Sequence, residues 1–282
     1  MTCEYINLDE WILSGGGMQG DSYFHKSDDG VMLKLFAPHL PLNLVEEEYL
    51  VTRNIYEAGI PCINPLSVVT DGQRYGMIIP RVKNKISFCT AVGRDPECLD
   101  DMASRLAAIG LMLHSSQADR TKFKSVLTIY REFLNASKSD DREFLNACDR
   151  ILTDMEKNDE SYTYLHGDFH FGNVITDGMR DYIIDLGAFS YGNPMFDLSM
   201  FYLVTHLLPP GAMQSMYHIT EDDALDFWNA FKVHYYKTNV PSDEELEKLY
   251  APFLLLRTLS FERDTGADEY VLKYRRRFMD AL

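Results

Sequence analysis

The first 80 residues combine short hydrophobic runs with turn residues between them. An alternating run, Val31–Phe36, follows a turn at Asp28–Gly30, and a glycine-rich turn at Gly15–Gly20 lies before both. Two more apolar runs cover residues 65–72 and 74–82. Runs of this length, bounded by Gly, Asp and Pro, are typical of antiparallel strands joined by hairpins. The pattern therefore predicts a small sheet.

Helical spacing replaces this pattern in two places. Hydrophobic residues recur every three or four positions from Leu44 to Tyr56, and Gly59 marks the end of this predicted helix. From Cys98 onward the same spacing dominates the chain. The order predicts a βββαββ front and a mostly helical rear, which is an α+β fold. We place the N-terminal domain at residues 1–80 and the C-terminal domain at residues 81–282.

Length and charge exclude several classes of protein. A chain of 282 residues, 46% hydrophobic, is expected to fold into two lobes. Its net charge of -16 argues against nucleic acid as a partner, because phosphate binding needs Lys and Arg. The longest apolar stretch, residues 195–208, is too short for a membrane span. The N-terminus resembles no secretory leader and the five cysteines lack paired spacing, so we expect a cytoplasmic protein.

Polar residues gather in the stretch LHGDFHFGNVITDGMRDYIIDLG, residues 165–187. Its runs VIT and YIID, separated by DGMRD, predict a hairpin. Because a hairpin returns the chain to where it began, Asn173 before the first strand and Asp185 at the end of the second are expected to be neighbours. Asp168 lies one short loop away. Polar residues also cluster in ordinary turns, so only the set as a whole indicates a site.

Two carboxylates and a carboxamide suit a magnesium site beside a base. Mg²⁺ prefers oxygen ligands and takes one or two carboxylates from the protein. Asn173 and Asp185 would hold the metal, and Asp168 would accept a hydrogen bond from an attacking hydroxyl. Phosphoryl transfer is the chemistry that combines these groups.

Lys34 and the glycine-rich turn are candidates for phosphate binding. Lys34 lies inside the hydrophobic run Val31–Phe36, although a solvated edge charge is the alternative. Glu48 on the predicted helix is expected to pair with it, with Glu46 and Glu47 as alternatives. Gly17 and Gly20 give the turn the backbone freedom to fold over phosphates, but many glycine-rich turns bind nothing.

Taken in order, these elements resemble the aminoglycoside phosphotransferase family, with its choline kinase and homoserine kinase relatives. HGDFHFGN matches the family motif HGDxHxxN, and YIIDLGAFSYGNPMFDLS matches IDxG followed by GxPxxDL. The resemblance implies a bilobal protein-kinase-like fold with ATP, or GTP as an alternative, and Mg²⁺ as cofactors.

The resemblance also implies roles for individual residues. Asp168 would be the catalytic base, His166 would brace its loop, and His170 stands where protein kinases usually carry Lys. Asn173 and Asp185 would be the magnesium ligands, and Asp197 a structural acid. In the nucleotide site, the resemblance implies that Lys34 contacts the phosphates and that Glu48 is its partner. The loop containing Gly17 and Gly20 would lie over the phosphates. A hinge near Ile79 and Arg81 would offer backbone groups to adenine.

The acceptor is expected to be the hydroxyl of a small molecule. Only twelve positions separate Asp185 from Asp197, which leaves no room for the activation segment that binds peptides in protein kinases. Residues 221–235 combine acidic residues, at their start, with aromatic residues that follow, which suits a cationic acceptor, or simply an amphipathic helix with an aromatic core face. An aminoglycoside, an amino alcohol and a sugar-like molecule all remain candidates. Oligomeric state is not predicted.

Three other functions compete with this interpretation. His166, Asp168 and His170 alternate and would chelate zinc or manganese if they lay on a strand, as in a metal-dependent hydrolase. A catalytically inactive kinase fold would bind nucleotide without turnover. A protein kinase would use the same catalytic residues on a protein substrate.

Overall fold

The computed structural model of the chain describes residues 3–17, 20–158, 161–265 and 268–282. Contacts divide the chain into two compact units, the first of residues 1–87 and 174–187, the second of residues 88–173 and 188–282. Among the residues described, no helix is long and apolar enough to cross a membrane.

The architecture is α+β, as predicted. The strands in chain order are β1 Glu4–Tyr5, β2 Trp11–Gly17, β3 Gly20–His25, β4 Val31–Phe36, β5 Ser67–Thr70, β6 Tyr75–Pro80, β7 Ile86–Ser87, β8 Thr163–Leu165, β9 Val174–Thr176, β10 Asp181–Ile183 and β11 Ser190–Gly192. The helices are α1 Leu42–Glu57, α2 Phe88–Arg94, α3 Leu99–Ser115, α4 Val126–Ala136, α5 Arg142–Asn158, α6 Met195–His206, α7 Glu221–Tyr236, α8 Asp243–Thr265 and α9 Glu269–Asp280.

The first unit is built on a six-stranded sheet in the order β1-β5-β6-β4-β3-β2. All of its pairings are antiparallel except the short pairing of β1 with β5. Alternate side chains of β4 point to opposite faces. Leu33 and Leu35 join a buried cluster on one face, and Phe36 packs with Val45 of α1 on the other. The predicted βββαββ order is therefore confirmed, with β1 as an additional strand.

The glycine-rich segment differs from the prediction of a turn at Gly15–Gly20. Gly15 and Gly16 belong to β2, and Gly17 at its end pairs with Gly20, the first residue of β3. Glycine is required at 20 for packing, because its φ is +147° and an added Cβ would lie 2.2 Å from the carbonyl oxygen of Leu35. The expectation was wrong in extent because glycine favours turns locally, whereas pairing with β3 keeps the backbone extended. Residues 18 and 19, between the two strands, lie outside the described residues.

The hairpin predicted near residue 180 is present as β9 and β10, with Val174 opposite Ile183. Thr176 and Ile175 of β9 also pair with β7, and Ile183 donates its backbone N–H to the carbonyl of Pro61 at 2.8 Å. These contacts group the hairpin with the first unit, although the predicted division places it in the domain of residues 81–282. Contact units are not the same as folding domains, so the division at residue 80 stays a prediction.

The second unit is mostly helical. Its core is aromatic, and Phe169 lies 6.4 Å from Phe201 and 6.1 Å from Phe231, measured between ring centroids. Phe171 likewise lies 5.3 Å from Phe227. Residues 169 and 171 are thus held by the core that α6 and α7 supply, and this anchoring fixes the polar residues beside them.

Candidate active site

Lys34 and Glu48 form an ion pair in the first unit, with Lys34 Nζ 2.8 Å from Glu48 Oε1. The period-two geometry of β4 places Lys34 on the same face as Phe36, which packs against α1. Glu48 lies one helical turn after Val45, on the side of α1 that faces the sheet. The predicted contact is confirmed, and Glu48 rather than Glu46 or Glu47 makes it. A pair this exposed stabilises the fold by about 1 kcal/mol at most, so its main effect is to orient the ammonium group.

The other nucleotide candidates of the first unit lie in or next to strands. Gly17 and Gly20 end β2 and begin β3, and Ile79 pairs with Met32 in the sheet. Arg81 donates its backbone N–H to the carbonyl of Gly30 at 2.8 Å, so this amide is not free for adenine. Its guanidinium lies 3.8 Å from the ring centroid of Phe24. Roles for these residues in nucleotide binding stay predictions.

The loop that carries Asp168 turns sharply at Gly167. The φ of Gly167 is +83°, and a Cβ here would lie 2.2 Å from the carbonyl oxygen of Ala188. Only glycine fits a position with both constraints. The next backbone N–H, that of Asp168, donates to Nδ1 of His166 at 3.3 Å, and His166 is fully buried. His166 therefore contacts the loop backbone, and its role as a bracing residue stays a prediction.

Asp197 holds the same loop from α6. Its Oδ1 accepts the backbone N–H of Gly167 at 2.8 Å, and its Oδ2 accepts that of His166 at 2.8 Å. Nε2 of His114 lies 3.1 Å from Oδ2, while Nδ1 of His114 lies 2.8 Å from the hydroxyl of Tyr235. The pattern assigns the proton to Nε2, since Tyr235 then donates to Nδ1. Asp197 is fully buried and satisfied by these donors.

Asp168 is a partly buried carboxylate with two neighbours in its own loop. Nδ2 of Asn173 donates to its Oδ2 and to its backbone carbonyl, both at 2.9 Å. Nε2 of His170 lies 3.6 Å from its Oδ1. Burial disfavours the charged form, but the attraction of the nearby His170 outweighs it, with smaller contributions from His166 and Arg257, so the pKa of Asp168 lies below its ordinary value. About a third of the side chain stays exposed, which leaves the carboxylate reachable.

His170 and Tyr217 pack together beside this carboxylate. Nδ1 of His170 accepts the backbone N–H of Gly172 at 3.0 Å, and its ring centroid lies 5.3 Å from that of Tyr217. Tyr217 ends a π-helical turn, Met213–Tyr217, and its hydroxyl makes no hydrogen bond with any residue that the structure describes. Burial, together with the charge of Asp168, raises the pKa of Tyr217, so the hydroxyl remains protonated. Tyr217 was not among the predicted site residues, because no sequence motif marks it.

Asn173 and Asp185, each considered within its own unit, have oxygen atoms of the kind that bind Mg²⁺. Nδ2 of Asn173 donates its hydrogen bonds to Asp168. The other amide atom, Oδ1, has no partner among the described residues and is therefore the atom that could coordinate a metal ion. Asp185 follows β10 with a left-handed φ of 60°, is exposed, and makes no hydrogen bond with the described part of the chain. Hard oxygen donors without protein partners suit Mg²⁺. A left-handed residue other than glycine is also more frequent at functional sites.

The hydrolase alternative loses support. In the part of the chain that the structure describes, no three His, Cys, Asp or Glu side chains come close enough together to hold a metal ion. His166 and His170 instead use Nδ1 to accept backbone N–H groups.

Helix α7 is amphipathic and does not expose an aromatic cation site. Phe227, Trp228 and Phe231 are fully buried. The acids of its first turn are also engaged, since Asp223 forms a capping box with Thr220 and Glu221 accepts the backbone N–H of Gly211 at 2.8 Å. The alternative of a core-facing helix is therefore confirmed, and these aromatics give no support to a cationic acceptor.

Solved structures with this architecture define the class of protein. Choline kinase LicA from Streptococcus pneumoniae has a TM-score of 0.57 with this chain at 16% identity, over 97% of this chain and 94% of that one. Aminoglycoside phosphotransferase APH(4)-Ia, in a complex with ADP and hygromycin B, has a TM-score of 0.63 at 11% identity, over 96% and 92%. Amicoumacin kinase hAmiN, in a complex with AMP-PNP and Ca²⁺, has a TM-score of 0.59 at 14% identity, over 99% and 90%. The chain has the protein-kinase-like fold.

Sequence identifies the family within this class. The sequence model of the APH phosphotransferase enzyme family matches residues 11–228, so the chain belongs to that family. No curated protein matches the chain significantly in sequence.

Proposed function

We propose that this protein transfers the γ-phosphoryl group of ATP, or of GTP as an alternative donor, to a hydroxyl group of a small molecule. Asp168 is the base in this proposal, Asn173 and Asp185 hold Mg²⁺, and Lys34 contacts the nucleotide phosphates. The observation that supports it best is the environment of Asp168. This carboxylate is ionised, partly exposed, and fixed by the side chain of Asn173 and the loop backbone.

The acceptor hydroxyl donates a hydrogen bond to Asp168 and attacks the γ-phosphorus atom. A bond forms between the acceptor oxygen and phosphorus, the bond from phosphorus to the bridging oxygen of the diphosphate breaks, and the hydroxyl proton passes to Asp168. A low pKa makes Asp168 a weak base, which suits a transfer in which positioning matters more than early deprotonation. Bound Mg²⁺ would neutralise negative charge on the phosphate oxygens.

The short segment after Asp185 favours a small acceptor over a protein. Residues 186–194 contain one 3-10 turn, Leu186–Ala188, and the strand β11, which pairs with β8. All of these residues are described, and they leave no extended peptide platform before Asp197. Tyr217 is the residue we assign to the acceptor side, since its ring packs against that of His170 and its hydroxyl has no hydrogen-bond partner among the described residues. A hydroxyl that stays protonated both donates and accepts, which suits a polar acceptor.

The test is an assay coupled to nucleoside diphosphate release, with ATP and with GTP, over aminoglycosides, amino alcohols, homoserine and sugars. We expect one class of acceptor to raise diphosphate release above the rate with water, and ³¹P NMR to show a new phosphate ester. Phosphate transfer to a protein mixture but to no small alcohol would instead indicate a protein kinase. Thermal stabilisation by Mg·ATP without any phosphorylated product would indicate an inactive nucleotide-binding fold.

A further inference from the structure

Arg257 of α8 contacts the loop that carries Asp168, although 90 positions separate it from Gly167. Its Nη1 donates to the carbonyl of Gly167 at 2.8 Å, and its Nη2 donates to the carbonyl of Phe196 at 3.2 Å. The side chain is buried, with 8% of the residue exposed. Residue 257 lies beyond residues 11–228, which the family model matches.

The charge of Arg257 has an unusual environment. Its guanidinium forms no ion pair with a carboxylate of the described residues, and its Nε is buried without a hydrogen-bond partner. A buried charge without an ionic partner lowers stability relative to an apolar side chain of similar size. Space filling in the core therefore does not explain why an arginine occupies position 257. Its two hydrogen bonds to backbone carbonyls explain this better.

Hydrogen bonds with Asp197 and Arg257 hold the peptides on both sides of Gly167. Asp197 accepts the N–H of the peptide that precedes Gly167, and Arg257 binds the carbonyl of the peptide that follows it. Gly167 has a positive φ and no side chain, so its backbone has more conformational freedom than that of other residue types and depends on its neighbours to hold it. The peptide between Gly167 and Asp168 sets the direction in which the Asp168 side chain leaves the backbone. The second bond, to Phe196, links the loop to the start of α6, next to Asp197.

We propose that Arg257 is a positioning residue for Asp168, which holds the Gly167–Asp168 peptide in the orientation that catalysis requires. This inference rests on the proposed function and adds to it a residue of the C-terminal helices. Lysine at 257 would offer one compact ammonium to two carbonyls, whereas methionine would leave both without this partner.

The experiment compares Arg257→Lys and Arg257→Met with Arg275→Met. Arg275 is a matched control because it is also buried in the second unit, where it pairs with Glu262 at 2.7 Å and covers the ring of Phe144. The assays are Mg·ATP turnover with the acceptor found by the panel, or with water if none is found, and Mg·ATP affinity by calorimetry. Hydrogen exchange of the amides of residues 166–168 is measured alongside them.

We expect Arg257→Met to lower kcat by about tenfold or more, because small displacements of a catalytic group are costly, while the Mg·ATP Kd changes by about twofold or less. Arg257→Lys should fall between Met and the wild type. Exchange at residues 166–168 should speed up in both Arg257 variants and not in Arg275→Met. Unchanged kcat and unchanged exchange in soluble, folded Arg257→Lys and Arg257→Met would overturn the inference.

The two proposals fail in different ways. A wild-type chain without turnover on any acceptor or on water would refute the proposed function. The exchange comparison would still test whether Arg257 holds the loop. If Arg257→Met does not fold, the Lys variant carries both readouts, and wild-type kcat and exchange in that variant would overturn the inference.

Discussion

Replacing Asp197 by Asn tests whether this acid holds the loop that carries Asp168 rather than taking part in the proposed reaction. The carboxylate accepts three hydrogen bonds, from the N–H groups of His166 and Gly167 and from His114, and it is fully buried. Asn has nearly the same volume but only one oxygen. In either orientation, its NH₂ group faces at least one backbone N–H that then has no acceptor.

The magnitude follows from the bonds that are lost. The smaller loss occurs when NH₂ replaces Oδ1, because only the N–H of Gly167 then loses its acceptor. A hydrogen bond to a charged group contributes about 1.5–3 kcal/mol, and an unsatisfied buried donor adds to the loss, so we expect Asp197→Asn to lower the free energy of unfolding by roughly 2–4 kcal/mol. For a chain of this size, that corresponds to a fall in Tm of about 5–15 °C.

The assay is urea unfolding together with scanning calorimetry, and kcat is measured well below the lower Tm. Asp226→Asn is the control, because it makes the same chemical change at a residue that is exposed on α7 and has no side-chain hydrogen bond or ion pair with the described residues. We expect Asp197→Asn to lose stability and kcat together, since the loop loses one anchor, and Asp226→Asn to lose neither. Equal Tm values for the two variants would refute the reasoning.

Three further predictions concern other groups. Tyr217→Phe should raise the KM for the acceptor by about 2- to 10-fold, the worth of one hydrogen bond, and leave the KM for ATP unchanged; an equal rise in both would contradict the acceptor assignment. Burial lowers the pKa of His206, so the folded chain favours the neutral imidazole. The free energy of unfolding is therefore highest above about pH 6.5, the ordinary pKa of His, and decreases as pH falls through the lower pKa of the folded state. His206→Gln should therefore flatten the loss of urea stability between about pH 7.5 and 5, and a slope equal to that of the wild type would exclude this role. Burial raises the pKa of Cys62 to about 12, so iodoacetamide at about pH 8 should label it in urea but not in the native chain, and native labelling would contradict its burial.

Local sequence patterns predicted the parts of the site that depend on neighbouring residues. The ion pair of Lys34 with Glu48 followed from a strand of period two and a helix beginning a few residues later. The hairpin β9–β10 followed from two β-type runs around DGMRD. In both cases a short stretch of chain already contains the geometry, so periodicity and turn chemistry are enough.

The residues that were missed act across long separations. Arg257 reaches Gly167, and Tyr217 reaches His170, through the packing of α8 and of a π-helical turn. No motif in a single sequence marks a residue whose role depends on a helix packed many positions away. The glycines before β3 show the opposite error, because a local preference for turns was overridden by strand pairing.

The most direct test of the proposed function is the Asp168→Asn variant, measured for turnover and for Mg·ATP affinity in the same preparation. The account predicts that turnover falls by about a thousandfold, the contribution of a positioned base, while the Kd for Mg·ATP changes by about threefold or less. Turnover equal to that of the wild type, with the same affinity, would contradict the assignment of Asp168 as the base.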